Sequence, residues 1–260
     1  TTNHCSAEKS AEVFEDRNFP VAEAGFPDTL NCGHPSKSLN GSILNQVNPV
    51  AINWFGPNGL IANNPDSLRP MVSEGGIYYM QVRDLQNGCL GQDSVTIFED
   101  KEPPDPTVYF SGSDTITCAN PIVYARCLTF DCAYSWQGIP DTNLLLNYAN
   151  YSRPGTYVLH IQSIGNLCEA RDTFTVFENK EKLEIQTDPA PEIGCGTDSI
   201  QISARLLASN PRFSASWTSS SGDILSDANS LDAWVGSPGT YHLQITNLQN
   251  GCISADSVVV

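Results

Sequence analysis

Three stretches of the chain alternate apolar and polar residues in a shared register: GIYYMQV at 76–82, GTYVLHI at 155–161 and GTYHLQI at 239–245. Tyr78, Met80 and Val82 fall on one side, as do Tyr157, Leu159 and Ile161, and Tyr241, Leu243 and Ile245. A period of two predicts strands with one face on a core. The segment after each stretch alternates too, through Val95 and Ile97, Phe174 and Val176, and Val258 and Val260. Asn-Gly pairs at 87–88 and 250–251 lie between these strands, and predict hairpin turns that need positive φ. Upstream, INWFG, YSWQG and ASWTSSSG each place a tryptophan in a short strand before a glycine turn. The strand tyrosines and tryptophans share a register with aliphatic residues, so they are predicted core residues before any carbohydrate-binding stripe. No segment shows a helical stripe.

The patterns recur because the sequence repeats. LQNGC at 85–89 returns at 248–252, with IGNLC at 164–168 as its variant. LGQDSVTIFEDK, EARDTFTVFENK and ISADSVVV follow, and CSAEKSAEVFEDR at 5–17 is a fourth copy of the same ending. Cys5, Cys89, Cys168 and Cys252 therefore stand 84, 79 and 84 residues apart. The expected organisation is residues 1–17 as the last strand of a preceding repeat, then repeats at 18–100, 101–179 and 180–260. A start at Thr1, in mid-repeat, reads as a window on a longer array. Units of about 80 residues with turn signals every ten or so predict small antiparallel β-sandwiches.

Charge and cysteine content narrow the setting. The 260 residues carry 29 acidic and 13 basic side chains, a formal net charge of −16. Such a surface repels phosphate backbones and anionic lipid, so neither nucleic acid nor a membrane surface is an expected partner. No apolar run is long enough to span a bilayer as a helix. Nine cysteines without paired metal-ligand clusters point to structural disulfides and an oxidising, extracellular location.

The series Cys … Trp-x-Gly … Gly-x-Tyr-x-Leu-x-Ile … Asn-Gly-Cys … Asp-Ser-Val-x-Val resembles the immunoglobulin-like and PKD-like repeats of giant secreted surface proteins of gliding and predatory Bacteroidota. The resemblance spans all three repeats. It implies an all-β chain of tandem, disulfide-stapled immunoglobulin-like β-sandwich repeats, and a role in adhesion, gliding or extracellular filaments. Lys9 stands where Asp93, Asp172 and Asp256 recur, and IGNLC lacks the Asn-Gly pair.

Each full repeat has one early and one late cysteine. Self-contained modules favour Cys32 with Cys89, Cys118 with Cys168 and Cys195 with Cys252, with Cys127 and Cys132 paired locally. Cys5 then belongs with a partner in an upstream copy. A bridge of this loop length constrains the unfolded chain by about 4 kcal/mol. The rival scheme, Cys5–Cys32, Cys89–Cys118 and Cys168–Cys195, crosses the joints and leaves Cys252 over.

Chemistry of other kinds finds little support. His4, His34, His160 and His242 are scattered, and no nucleophile elbow, zincin or phosphate-loop motif occurs, so no catalytic residue is assigned. Cys127 and Cys132 lack a second pair to complete a zinc site. The joints VFEDR, IFEDK and VFENK are rich in carboxylates, and Glu15, Asp16, Asp28, Glu99, Asp100 and Asp105 are candidates for structural calcium, which takes six to eight oxygens. The basic residue after each motif favours local ion pairs instead. The expectation is a non-enzymatic structural or adhesive segment of a large extracellular bacterial surface protein, forming a rod or multi-chain filament that attaches to surfaces or cells. Its copies would lie side by side, and any cell-surface or glycan target would be bound elsewhere in the parent chain. The alternative is an accessory binding or spacer array of a secreted hydrolase.

Overall fold

The computed structural model of the chain describes residue 3 and residues 5–57, 64–138, 146–207 and 212–260. Thr1 and His4 lie outside them. The described residues form strands and loops only, and the strands fall into three groups that follow the sequence repeats. The first holds β1 (Val21–Glu23), β2 (Asp28–Asn31), β3 (Lys37–Ser38), β4 (Ser42–Leu44), β5 (Val50–Phe55), β6 (Met71–Val72), β7 (Gly76–Asp84) and β8 (Leu90–Asp100). The second holds β9 (Val108–Phe110), β10 (Thr115–Thr117), β11 (Val123–Cys127), β12 (Cys132–Trp136), β13 (Tyr148–Tyr151), β14 (Gly155–Ser163) and β15 (Glu169–Asn179). The third holds β16 (Ile185–Thr187), β17 (Ile200–Leu206), β18 (Phe213–Ser219), β19 (Ile224–Ser226), β20 (Asp232–Val235), β21 (Thr240–Asn247) and β22 (Ile253–Val259).

Each group makes a two-layered sandwich around its own core. One layer is ordered β2-β8-β7-β5, β10-β15-β14-β12 or β18-β21-β22. Facing it are the pairs β1-β4 and β3-β6, then β13-β11-β9, then β16-β17-β20-β19. Trp54, Met80, Val82, Val95 and Ile97 pack in the first core, Trp136, Leu159, Ile161 and Val176 in the second, and Trp217, Leu243, Ile245 and Val258 in the third. The period-two residues are therefore the inward faces of the central hairpins. Near the start of each central strand a tyrosine hydroxyl donates back to a carbonyl four residues upstream: Tyr78 to Glu74 (2.7 Å), Tyr157 to Arg153 (3.0 Å) and Tyr241 to Ser237 (2.7 Å). This is the tyrosine corner of immunoglobulin-type sandwiches. The Trp54 and Trp136 indoles donate to the carbonyls of Ser67 and Leu146, whereas the buried Trp217 Nε1 has no acceptor. The chain is thus all-β, with tandem immunoglobulin-like sandwiches.

The recurring aspartate of the last strand fastens the first strand of its own repeat. Asp93 accepts from the Ala24 N–H (2.7 Å), Asp172 from Val108 (2.9 Å) and Asp256 from Thr187 (2.8 Å). Residues 5–17, expected to be a strand, contain none, and Val13 and Phe14 are 90% and 85% exposed. A lone last strand has no sheet here to complete its ladder or cover its apolar side.

By compactness the chain divides into two units, one of Thr1–Pro104 with Gln162–Glu169 and one of Asp105–Ile161 with Ala170–Val260. The hairpin tip of the second repeat thus packs with the first repeat rather than with its own.

Candidate functional site: the stapled hairpin tip

The tip begins with local turn chemistry. In each repeat the residue ending the first hairpin strand bonds to the late cysteine: Asp84 N–H to the Cys89 carbonyl, Ser163 to Cys168 and Asn247 to Cys252, at 2.9, 2.9 and 2.8 Å. Four residues lie between, so this is a four-residue loop and not the two-residue turn that Asn-Gly predicts. Only the fourth residue needs the left-handed region, and there stand Gly88 (φ 78°), Leu167 (φ 60°) and Gly251 (φ 71°). The tip lacking Asn-Gly therefore adopts the same loop, with Leu167 strained where glycine is free.

The asparagine has a different task. Its Oδ1 accepts the N–H of the cysteine two residues on, from Cys89 (2.9 Å), Cys168 (3.0 Å) and Cys252 (2.9 Å). This Asx turn aims Nδ2 at the segment joining two repeats. Asn166 Nδ2 donates to Asp100 Oδ1 (2.7 Å) and the Glu102 carbonyl (2.9 Å). Asn250 Nδ2 donates to Asn179 Oδ1 and the Glu181 carbonyl, both at 2.8 Å, and Asn87 Nδ2 to the Asn18 carbonyl at 2.8 Å. Asn166 and Asn250 are 7% and 2% exposed. Burial at that level makes these bonds costly to lose.

Seated on the joint, the tips of the second and third repeats each meet the early-cysteine loop of the repeat before. Cys168 is bridged to Cys32 and Cys252 to Cys118. Backbone bonds accompany the bridges: the Cys32 N–H donates to the Asn166 carbonyl and the Ala119 N–H to the Asn250 carbonyl, both at 3.1 Å. The contact is also matched in size. A Cβ on Gly33 would lie 2.3 Å from Leu167 Cδ1, and a Cβ on Gly251 would lie 2.6 Å from that of Ala119. The large tip residue faces a glycine, and the glycine tip faces an alanine.

This pairing corrects both expected schemes, and the sheet register gives the reason. β2 runs parallel to the far end of β8, with Asn31 opposite Asp100, so Cys32 lies where β8 leaves the sandwich. Cys89 immediately precedes β8 at its other end. Eleven residues at ~3.3 Å each separate the two by roughly 35 Å, whereas bridged Cα atoms lie within about 7 Å. Thr117 opposite Asn179 sets Cys118 and Cys168 apart along β15 in the same way. A late cysteine sits where the chain enters its repeat, and an early cysteine where the chain leaves, so early must pair with the next late. Cys32–Cys89 and Cys118–Cys168 are excluded by this arrangement, and Cys195–Cys252 by the bridge between Cys252 and Cys118. Stability does not explain the choice: the chain-entropy estimate is about 5 kcal/mol for a 135-residue loop against about 4 for a 57-residue one.

The expected Cys127–Cys132 bridge is also absent. Both thiols are buried and unpaired, with Cys127 Sγ against the Asp105 carbonyl and Cys132 Sγ against that of Phe130. Cys127 ends a strand of one layer and Cys132 begins a strand of the other, so both fill core space. Burial pushes the Cys132 thiol up.

The joint carboxylates each find a local partner. Glu15 pairs with Arg17, and Asp16 accepts the Asn18 N–H. Asp28 takes the Thr29 N–H and Lys37 Nζ, which hold its carboxyl below the usual range. Lys101, then the Gly75 N–H, lower Glu99, and the Thr107 hydroxyl and N–H lower Asp105. Asp100 accepts from Asn166. Among the described residues no group of three or more His, Cys, Asp or Glu side chains converges on a metal-sized site.

No protein-family model matches the chain, and no curated protein matches it. Among solved structures it is similar to the N-terminal eight immunoglobulin domains of Down syndrome cell adhesion molecule, at 10% identity and a TM-score of 0.37 over 93% of this chain. It spans 36% of that structure's length. The three N-terminal domains of the bacteriophage RB49 highly immunogenic outer capsid protein align at 10% identity and a TM-score of 0.35, over 93% of this chain and 98% of that one. Human protocadherin-24 EC1-2 aligns at 12% identity and 0.35, over 63% and 98%.

Proposed function

We propose that this chain is a structural repeat segment of a large extracellular surface protein, serving attachment as a rod or as one strand of a multi-chain filament of bacterial origin. The observation behind this reading is the pair of bridges, Cys32–Cys168 and Cys118–Cys252, each joining neighbouring repeats. A bridge inside a module stabilises that module; a bridge across a joint adds a second covalent connection between modules. Disulfides of this kind persist in oxidising, extracellular surroundings. The segment works without catalysis, by holding shape under load and spacing other parts of the assembly. Copies lie side by side, with lateral contacts built into each repeat to overcome the repulsion of 16 net negative charges per chain.

Stretching single molecules tests the mechanical part. The bridges let tension pass from Cys32 to Cys168, back along the chain to Cys118 and across to Cys252, leaving about 90 residues extensible, or about 320 Å at ~3.45 Å per residue. The reduced chain extends all 260 residues, about 900 Å. A nearly threefold gain in contour length on reduction is the expected result; equal lengths in the two states contradict the reading.

A further inference from the structure

One sheet of the second repeat has an aromatic outer face that the sandwich does not require. Tyr109 on β9, Tyr124 and Arg126 on β11, and Tyr148 and Asn150 on β13 are exposed, alternating on the last two strands with buried core residues. The register sets them in two rows across the three strands. Tyr109, Arg126 and Tyr148 form one row. Ser111, Tyr124 and Asn150 form the other, with the Ser111 N–H on the Tyr124 carbonyl at 2.9 Å. The three tyrosines are 44%, 50% and 52% exposed, so about half of each is open to solvent. In the third repeat the corresponding strands set Gln201 opposite Trp234 and Ser203 opposite Asp232. The fold is thus built equally well with a mostly polar face.

A groove of about 410 Å³ opens on this face, lined by Tyr124, Arg126, Phe130, Asn147, Tyr148 and Asn150 among others. That volume and this mixture of aromatic and polar groups belong to the range of small-ligand sites. Among the described residues no carboxylate lines the groove, and the side chains of Arg126 and Asn150 have no hydrogen-bond or ion-pair partner in the protein. We infer that this groove is a glycan-binding site, taking a short oligosaccharide that carries a carboxylate on one of its pyranose rings. The inference deepens the attachment reading and rests on it. It locates on this chain a ligand that the sequence leads one to expect elsewhere in the parent protein.

The chemistry of the face selects that ligand. A pyranose has C–H bonds on its faces and hydroxyls around its rim, so it lies flat on an aromatic ring while its rim reaches polar groups. Tyr124 and Tyr148 are diagonal neighbours across two strands, about 7–8 Å apart, which suits consecutive rings of one oligosaccharide. Arg126 stands between them with no carboxylate to neutralise it. Its guanidinium takes a sugar carboxylate as a two-pronged, charge-assisted pair. The Asn150 amide offers both a donor and an acceptor to the hydroxyls. A net charge of −16 does not forbid one such carboxylate, because exposed charges more than about 8–10 Å away are largely screened at physiological salt.

The test is titration of the isotope-labelled 260-residue chain with trigalacturonic acid, sialyllactose and lactose, followed by amide NMR shifts. At least one acidic sugar at millimolar concentration should move the signals of residues 124–126 and 148–150. Which one does so separates a uronic from a sialic source. Lactose should bind at least tenfold more weakly. Arg126→Gln should abolish that preference, and Tyr124→Ala and Tyr148→Ala should each weaken acidic-sugar binding at least threefold. Tyr148→Phe should keep it, with melting temperature unchanged in all four variants. Four outcomes overturn the inference: no shift with either acidic sugar, lactose bound as tightly, shifts confined to other strands, or the same signals moving with chain concentration alone. The last would assign the face to a second copy. Stretching the same chain reads the rod separately. A nearly threefold gain in length on reduction, with no sugar bound, removes the glycan site alone, whereas equal lengths remove the reading on which it rests.

Discussion

Leu167 and Gly33 occupy complementary space: a Cβ added to Gly33 would stand 2.3 Å from Leu167 Cδ1 and 3.0 Å from its Cβ. Gly33→Ala should therefore overpack the joint and destabilise the first unit by about 1–3 kcal/mol. Leu167→Gly relieves the positive φ and clears the space, recreating the bulk found at Ala119 and Gly251. A double-mutant cycle read by thermal melting should show the pair less destabilised than the sum of the single changes. Additive effects would mean that the two residues do not meet.

The tip asparagines should matter more than the glycines beside them. Asn166→Ala removes the acceptor for the Cys168 N–H and the donor to Asp100 and Glu102. Leaving such groups unsatisfied costs about 1–3 kcal/mol, and the Cys32–Cys168 bridge should become more readily reduced. Asn166→Asp keeps the acceptor but sets a carboxylate against Asp100, whereas Asn250→Asp meets the neutral Asn179. The first should therefore melt lower than the second at pH 7, and the gap should shrink near pH 3.

The strand-fastening aspartate of the third repeat, Asp256, gives that repeat an acid limit. The Thr187 N–H is the main reason that the Asp256 carboxyl lies below its usual range, with Ser257 N–H and the Thr187 hydroxyl adding to it against the opposing effect of burial. A carboxyl lowered in the folded state stabilises fully above its unfolded value near 3.9 and loses that contribution as pH falls through the folded value. Melting temperature should fall below about pH 4. Asp256→Asn should lower it at pH 7 and flatten the acid slope. An unchanged slope in that variant would contradict the assignment of the acid limit to Asp256.

Thiol reactivity separates the five unpaired cysteines. Cys5 and Cys195 are exposed, Cys89 is half-buried, and Cys127 and Cys132 are buried in the second core. A thiol reagent added to the native chain should modify the first two quickly and Cys89 more slowly. Cys127 and Cys132 should react only on unfolding, since reactivity follows exposure and thiolate content. Protection of that pair after denaturation would show a Cys127–Cys132 bridge.

The long central hairpins were legible because their inward residues keep a period of two over seven or more positions. Gly-x-Tyr and the Trp strands were legible for the same reason. The asparagine of the tip was open to discovery by aligning the repeats, since Asn87, Asn166 and Asn250 recur where the following glycine does not. Asp93, Asp172 and Asp256 recur as plainly, yet only coordinates show that they hold a first strand. The disulfide partners were hidden by two short strands. Asp28–Asn31 and Thr115–Thr117 are too short for a pattern, and their parallel pairing decides which end of the sandwich each early cysteine occupies. Repeat logic alone treats a module as closed, and the register here opens it.

The central claim is that bridges connect neighbouring repeats, and non-reducing peptide mapping of the oxidised chain tests it most directly. The account predicts disulfide-linked peptides containing Cys32 with Cys168 and Cys118 with Cys252. Recovery of Cys32 with Cys89, or of Cys118 with Cys168, would contradict it.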